Sequence, residues 1–223
     1  MSAQAPPSSS PGAVETRDRL LRTAFQLFHE QGFNGTGVAT ILREAGVNPG
    51  SMYHFFESKD ELLLHVLDFA LGYLSPAVMD PAEARTPDPI GRVFALLDQY
   101  RAGMDRRGCK MGCPIGNLAL EVSDGHPKAR ALIHRNFENW VGRVEAWLEA
   151  AGDRLPRDVN RRRLARFVLT VMEGGLMQSR AAGTLQPFDE AVETLREHLK
   201  MLAARAPAAA RKTRVTRISR RRR

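Results

Sequence analysis

The sequence predicts an all-α protein of about nine helices arranged in two modules. Three observations carry this. Apolar residues recur at the i, i+3, i+4, i+7 spacing of a half-buried helix in one segment after another. Glycine and proline stand where those segments begin and end. At 223 residues the chain is long enough for a small module and a larger one with its own core.

The elements follow in order. Residues 1 to 14, rich in Pro and Ser, read as a disordered lead with neither the basic start nor the apolar core of a secretory signal. Residues 15 to 31 form a first helix with Leu20, Leu21, Ala24, Phe25, Leu27 and Phe28 on its apolar face, and Gly32 stops it. A second helix runs from Val38 to Ala45, with Val38, Ile41, Leu42 and Ala45 inward. The Thr36 hydroxyl is expected to cap its free N–H groups, and Gly46 to end it in the left-handed conformation glycine adopts without a Cβ clash. Val47 plugs the corner. Asn48 caps a third helix, and Pro49 suits its first position because its missing N–H is not needed there. That third helix, Pro49 to Phe55, is too short to stand alone, so Met52, Phe55 and Phe56 must pin it to a core. Gly50, Ser51, Tyr53 and His54 are left facing outward. Such a helix-turn-helix, with small polar and aromatic groups on its second helix, fits the major groove of DNA. The same shape occurs in ordinary helical hairpins, so geometry alone leaves both readings open.

Ser58, followed three residues later by Glu61, forms a capping box that opens a fourth helix to about Leu74, linking the modules. Lys59 sits at its N-terminus, where the helix dipole already favours a phosphate. Residues 75 to 89 carry four prolines and are expected to be a boundary loop. Helices then cover about 90–104, 114–123, 127–150, 157–182 and 188–204. Gly174-Gly175 lies inside one of them, at about 1 kcal/mol per glycine relative to alanine, which close approach of another backbone would justify.

Charge is unevenly spread. The net charge is +8, but the last 13 residues hold eight bases and no acid, leaving 25 bases against 25 acids in the rest. Residues 15 to 62 hold five bases and seven acids, so a DNA role rests on the motif and not on a basic domain. The Arg-rich tail reads either as a nonspecific DNA arm or as a solvated end. There is no 18-residue uninterrupted apolar run, and two cysteines do not make a disulfide scaffold, so a cytoplasmic protein is expected. No phosphate-binding loop, nucleophile elbow or HExxH motif appears, so no enzyme activity, cofactor or metal is expected.

The string AGVNPGSMYHFFESKDELL resembles the DNA-binding signature of TetR-type bacterial regulators, with Gly46, Val47, Gly50, Ser51, Tyr53, Phe56, Ser58, Lys59, Asp60 and Leu62 in register. Residues 23 to 41 resemble the family's first helix and the approach to its second. One departure is Gly37-Val38, where the family more often has a polar and then a β-branched residue. The string GCPIGNLALEVSD is similar to a subgroup that includes acrylate-responsive and LmrA/YxaF-like repressors.

The resemblance implies a helix-turn-helix DNA-binding domain at 15–62, an effector-binding and dimerisation domain at 75–205, and a repressor that binds a palindromic operator as a homodimer and is released by a small molecule. Thr36, Gly50, Ser51, Tyr53, His54 and Lys59 would then touch DNA, and the last two long helices would form the dimer face. Candidate effector-lining residues are Tyr100, Met104, Cys113, Asn117, Glu121, Phe137, Trp140, Met172 and Met177. Asn117 and Glu121 share a helix face one turn apart, and buried polar groups need partners. Cys109 and Cys113, with Arg106, Arg107 and Lys110 nearby to favour the thiolate, form an alternative redox or electrophile trigger. If the cysteines are incidental, Cys113 is expected buried and Cys109 exposed. A thiol enzyme or a DNA-coating protein on the same fold is a further alternative.

Overall fold

The computed structural model describes residues 11–206. Among these, nine α-helices and one 3₁₀ turn follow in order: α1 (Pro11–Gln31), α2 (Val38–Ala45), α3 (Pro49–Phe55), α4 (Lys59–Arg85), α5 (Pro89–Arg106), α6 (Pro114–Val122), α7 (Pro127–Ala150), the turn at Gly152–Arg154, α8 (Arg161–Ala182) and α9 (Gln186–Arg205). The basic tail beyond residue 206 and most of the expected lead lie outside the described residues. Residues 11–14, expected to belong to that lead, are the first turn of α1.

Two compact units emerge. Among the described residues, the first joins residues 11–72 with Pro114–Arg135, and the second joins Tyr73–Cys113 with residues 136–206. The expected boundary near residue 75 is therefore incomplete, because α6 belongs with the first unit. Its Ile115, Leu118 and Val122 are buried, and it packs on α1.

In the first unit α1 packs against α2, α3 and α6. Leu20, Ala24 and Phe28 of α1 are wholly buried, as are Ile41 of α2 and Met52 of α3. The Phe28 and Phe33 rings meet edge to face at 5.4 Å between centroids. The seven-residue α3 persists because Met52 and Phe56 sink into this core, each worth about 1.5–3 kcal/mol of burial. Gly46 closes α2 at φ +63°, as its residue type predicts.

The second unit surrounds a cluster built from the latter half of α4, α5, most of α7, α8 and α9. The expected loop at 75–89 is instead helical to Arg85, through Pro76 and Pro81. Each proline removes an intrahelical hydrogen bond. Tertiary contacts offset that loss. Met79 and Ala82 are wholly buried in the cluster, and Glu83 accepts from Arg143 Nη2 at 2.7 Å and from Trp147 Nε1 at 2.8 Å. By composition α4 is long and apolar enough to cross a membrane, yet its Leu62, Leu63, Val66 and Leu67 are wholly buried in the protein.

α8 begins at Arg161 and not near 157. Asn160 Oδ1 caps it by accepting from Arg163 N at 2.8 Å, and the Arg161 guanidinium holds the preceding turn by donating to the carbonyls of Gly152, Leu155, Pro156 and Val159. The expectation for the glycine pair holds at Gly175, where a Cβ would stand 2.9 Å from the Phe188 ring and 3.2 Å from Phe188 Cα of α9. Gly174 has no such neighbour within 4 Å. Close to this contact the buried Ser179 hydroxyl accepts from Phe188 N at 3.0 Å.

Candidate nucleic-acid interface

α3 is built to present one face. Asn48 caps it, its Oδ1 accepting from Ser51 N at 3.0 Å and from Ser51 Oγ at 2.9 Å. Met52 and Phe56 face the core and Phe55 is half-buried, which leaves Gly50, Tyr53 and His54 exposed and Ser51 at the edge. Tyr53 is 57% exposed, so its ring and hydroxyl are available to a partner. The Ser51 proton points to Asn48, so its oxygen can still accept from a ligand. A Cβ on Gly50 would make only an ordinary contact, 3.6 Å from Asn48 Oδ1, so the space its missing side chain leaves is outward. Between α3 and the first turn of α1 lies an open cleft of about 450 Å³, lined by Gly12, Ala13, Thr16, Asn48, Gly50, Ser51, His54 and Phe55.

Two expected DNA contacts are differently placed. Thr36 does not cap α2. The N-cap is Gly37, with no side-chain cap bond, so the departure at Gly37-Val38 leaves that helix start unsupported by a side chain. Thr36 is wholly buried, and its hydroxyl donates to Gly32 O at 2.6 Å, with Leu27 O at 3.3 Å. Lys59 Nζ donates to Phe33 O at 2.9 Å and Thr36 O at 3.1 Å and lies 4.2 Å from the Phe33 ring centroid. Both side chains brace the turn between α1 and α2. Arg17 is also engaged, with His65 Nδ1 at 3.2 Å and the Phe56 ring at 5.7 Å, whereas Arg19 and Arg22 are exposed. The Ser58–Glu61 cap forms, Ser58 Oγ accepting from Glu61 N at 3.1 Å while the Glu61 carboxylate reaches Glu57 N at 2.5 Å.

The same turn claims Glu121, which sequence reasoning assigned to an effector. Its two oxygens accept from Phe33 N at 2.8 Å and Asn34 N at 2.6 Å. Gly32 beside them has φ +77°, and a Cβ there would fall 2.9 Å from Glu121 Oε2. Asn117 shares α6 and the first unit with Glu121.

Of the other expected effector residues, Met104, Trp140 and Met172 lie in the core cluster of the second unit, with Tyr100, Cys113 and Phe137 packed against it. Met177 is 57% exposed and lines no interior. Trp140 Nε1 donates to the Tyr100 hydroxyl at 3.2 Å. Sequence reasoning missed Glu173 of α8. Its Oε1 is buried without a hydrogen-bond partner, and burial raises its carboxyl pKa while a hydrogen bond with the Cys113 thiol pulls it back in part. Burial also drives the Tyr100 hydroxyl far above its usual pKa, and the neighbouring Cys113 and Glu173 push the same way. The available signal was a lone acid inside the apolar stripe that runs through Met172 and Leu176.

The two cysteines are not bridged, and the expected exposures are reversed: Cys109 is buried and Cys113 half-buried. They are not paired on a helix, because Cys109 and Met111 both have positive φ, +59° and +75°, in the loop before α6. This geometry does not favour the redox reading.

Comparison with known proteins adds independent findings. Residues 20–66 match the model for bacterial regulatory proteins of the tetR family, and residues 89–195 match the model for a tetracyclin repressor-like C-terminal domain. The chain is 29% identical over 175 residues to the HTH-type transcriptional regulator LmrA of Bacillus subtilis, covering 78% of this chain and 91% of that one. It is 27% identical over 186 residues to the HTH-type transcriptional repressor DhaR of a Mycobacterium species, covering 82% and 91%. A TetR transcriptional regulator of Chloroflexus aurantiacus, known as a crystal structure, matches with a TM-score of 0.75 at 27% identity, covering 86% of this chain and 97% of that one.

Proposed function

We propose that this chain, which belongs to the TetR family of bacterial transcriptional regulators, is a repressor that grips a palindromic operator as a homodimer and lets go when a small molecule enters its second unit. The observation that carries the DNA half is the face of α3: Gly50, Ser51, Tyr53 and His54 stand outward on a helix whose other side is sunk in the core. Gly50 lets a base edge or sugar come close. Ser51 accepts from, and His54 exchanges a hydrogen bond with, a base edge or phosphate. The Tyr53 hydroxyl donates to a phosphate. Phosphate contacts position the helix and base-edge contacts give it sequence preference. The cleft between α3 and the start of α1 has room for the sugar-phosphate backbone. Thr36 and Lys59 have no direct part in this reading, because the Thr36 hydroxyl proton and two of the three Lys59 N–H donors are used within the fold.

One seven-residue helix reads few bases, so a second copy is needed. Two such helices about 34–36 Å apart meet successive major grooves. α8 and α9 supply the dimer face: they pack along each other, and Phe167, Met177 and Met201 on them are exposed at 44%, 57% and 61%, an apolar surface that a second copy would cover. An effector that fits the second unit better in the DNA-incompetent state shifts the population away from the operator. Such a regulator works where the chromosome is, in the bacterial cytoplasm.

The test is selection of duplexes from a random pool by the purified full-length protein. An inverted repeat with half-sites spaced by whole helical turns should be enriched. Retention of DNA with no sequence preference would overturn the reading in favour of a coating protein.

A further inference from the structure

Glu173 is a polar group that the second unit has not used. It projects from α8 beside Met172, a wholly buried member of the core cluster. Its Oε1 makes no contact with solvent and has no hydrogen-bond partner. Buried polar atoms are nearly always satisfied, and one left bare costs about 1–3 kcal/mol, so an orphan acceptor is a sign of a missing donor.

The surroundings state which donor. Besides burial, the influence on this carboxyl is a hydrogen bond with the Cys113 thiol, and neither brings positive charge. Tyr100 is near enough for its own ionisation to feel both Glu173 and Cys113, and its hydroxyl already accepts from Trp140 Nε1. Tyr100 and Cys113 thus bring a hydroxyl and a thiol to Glu173, and the Trp140 indole N–H is already spent on Tyr100. Met104, Trp140 and Met172 belong to the core cluster of the same unit, and Phe137 packs against that cluster. Tyr100, Cys113, Phe137 and Glu173 are each half-buried as whole residues.

We infer that Glu173, with the Tyr100 hydroxyl and the Tyr100, Phe137 and Trp140 rings, is an effector subsite for a cationic amphiphile: a protonated amine carried on an aromatic or apolar body. The ammonium would supply donors to Oε1 and a positive charge to pair with the carboxylate, and the aromatic faces would attract it further. An anionic effector, such as a carboxylate, meets a second acid with no cation between them. This assignment deepens the effector half of the proposed function and rests on it.

A matched series tests it by equilibrium dialysis with full-length protein in the absence of DNA: 2-(1-naphthyl)ethylamine, 2-(1-naphthyl)ethanol and 1-naphthaleneacetate share one ring system and differ in charge. The amine should bind tightest and the acetate weakest, with about tenfold or more between them, the ratio that 1.4 kcal/mol gives. Glu173→Gln should cut amine binding about tenfold while leaving the alcohol within about threefold, again on the scale of one ion pair. The alcohol also reports that the variant is folded. Acetate binding as tight as the amine, an unchanged amine-to-alcohol ratio in Glu173→Gln, or no binding of any of the three at millimolar concentration would each overturn the subsite. The wild-type ranking requires no variant. Failure here leaves the duplex selection untouched, so the subsite and the regulator reading fail separately.

Discussion

Two surfaces of the first unit, fewer than twenty residues apart in sequence, treat their polar groups in opposite ways. The turn between α1 and α2 uses them inward: Thr36 on Gly32 O, Lys59 on Phe33 O and Thr36 O, and Glu121 on the amides of Phe33 and Asn34. The outer face of α3 keeps Tyr53 and His54 in solvent and uses only the Ser51 proton, for its own cap. Residue type alone does not separate a DNA contact from a brace. A lysine at a helix N-terminus suits a phosphate, but two nearby carbonyls that need donors claim it first. What remains available to a partner is what the fold leaves unspent, and the larger unit repeats the rule at Glu173.

The sharpest way to break this contrast is Tyr53→Ala. It removes an exposed ring, so the melting temperature should be unchanged while operator affinity falls by about tenfold or more, equivalent to ~1.4 kcal/mol. A gel-shift titration beside a thermal melt separates the two. Operator binding at wild-type strength would mean the reading face lies elsewhere.

Glu121→Gln probes the other surface. Both carboxylate oxygens accept, so an amide leaves one N–H facing another N–H. The cost should be about 1–3 kcal/mol, the penalty for an unmade hydrogen bond at partly buried groups. For a chain of this size that is roughly 2–4 °C of melting temperature per kcal/mol. A melt unchanged within a degree would show that the Glu121 strap adds nothing.

The fold was largely legible beforehand, and the reasons for the exceptions are physical. α2 and α3 fell on their expected residues because a glycine C-cap, an asparagine N-cap and Pro49 are local signals, read within four residues. Residues 75–85 were misread because their prolines argue locally for a loop, whereas the burial of Met79 and Ala82 that keeps them helical comes from partners far along the chain. The site divides the same way. The outward placement of Gly50, Ser51, Tyr53 and His54 follows from the periodicity of α3. The engagement of Thr36 and Lys59 depends on where carbonyls of a turn point, and Glu121 joins that turn from 87 or 88 residues away, which no local pattern reveals. Glu173 was hidden because a single acid in an apolar stripe looks the same in sequence whether it faces solvent or the interior.

Lys59→Met sharpens the contrast at the position where the two roles compete. If Lys59 is a brace, the variant loses stability, about 1–3 kcal/mol for hydrogen bonds from a charged donor, and below its melting point binds operator within about threefold of wild type. A phosphate clamp gives the reverse: an unchanged melt, weaker binding, and a salt dependence shallower by about one counterion per half-site. Measuring operator affinity at several salt concentrations distinguishes the two outcomes.

The mildest effect extends the rule to the second unit. A carboxyl whose folded pKa lies above its unfolded value of 4.5 binds more protons folded than unfolded across the interval between the two. Stability attributable to Glu173 is therefore full below about pH 4.5 and falls as pH rises toward the raised folded value. Glutamine has no charge to desolvate. Glu173→Gln should thus melt higher than wild type at pH 7.5, by roughly 2–4 °C for each kcal/mol recovered, and the gap should close on acidification toward pH 4.5. The Glu121→Gln variant is expected to be less stable than wild type at neutral pH, so the two substitutions of the same chemical kind move the melt in opposite directions. A Glu173→Gln melt at or below wild type at pH 7.5 would mean that Oε1 has a partner in solution, and the contrast between spent and unspent groups would then end at the first unit.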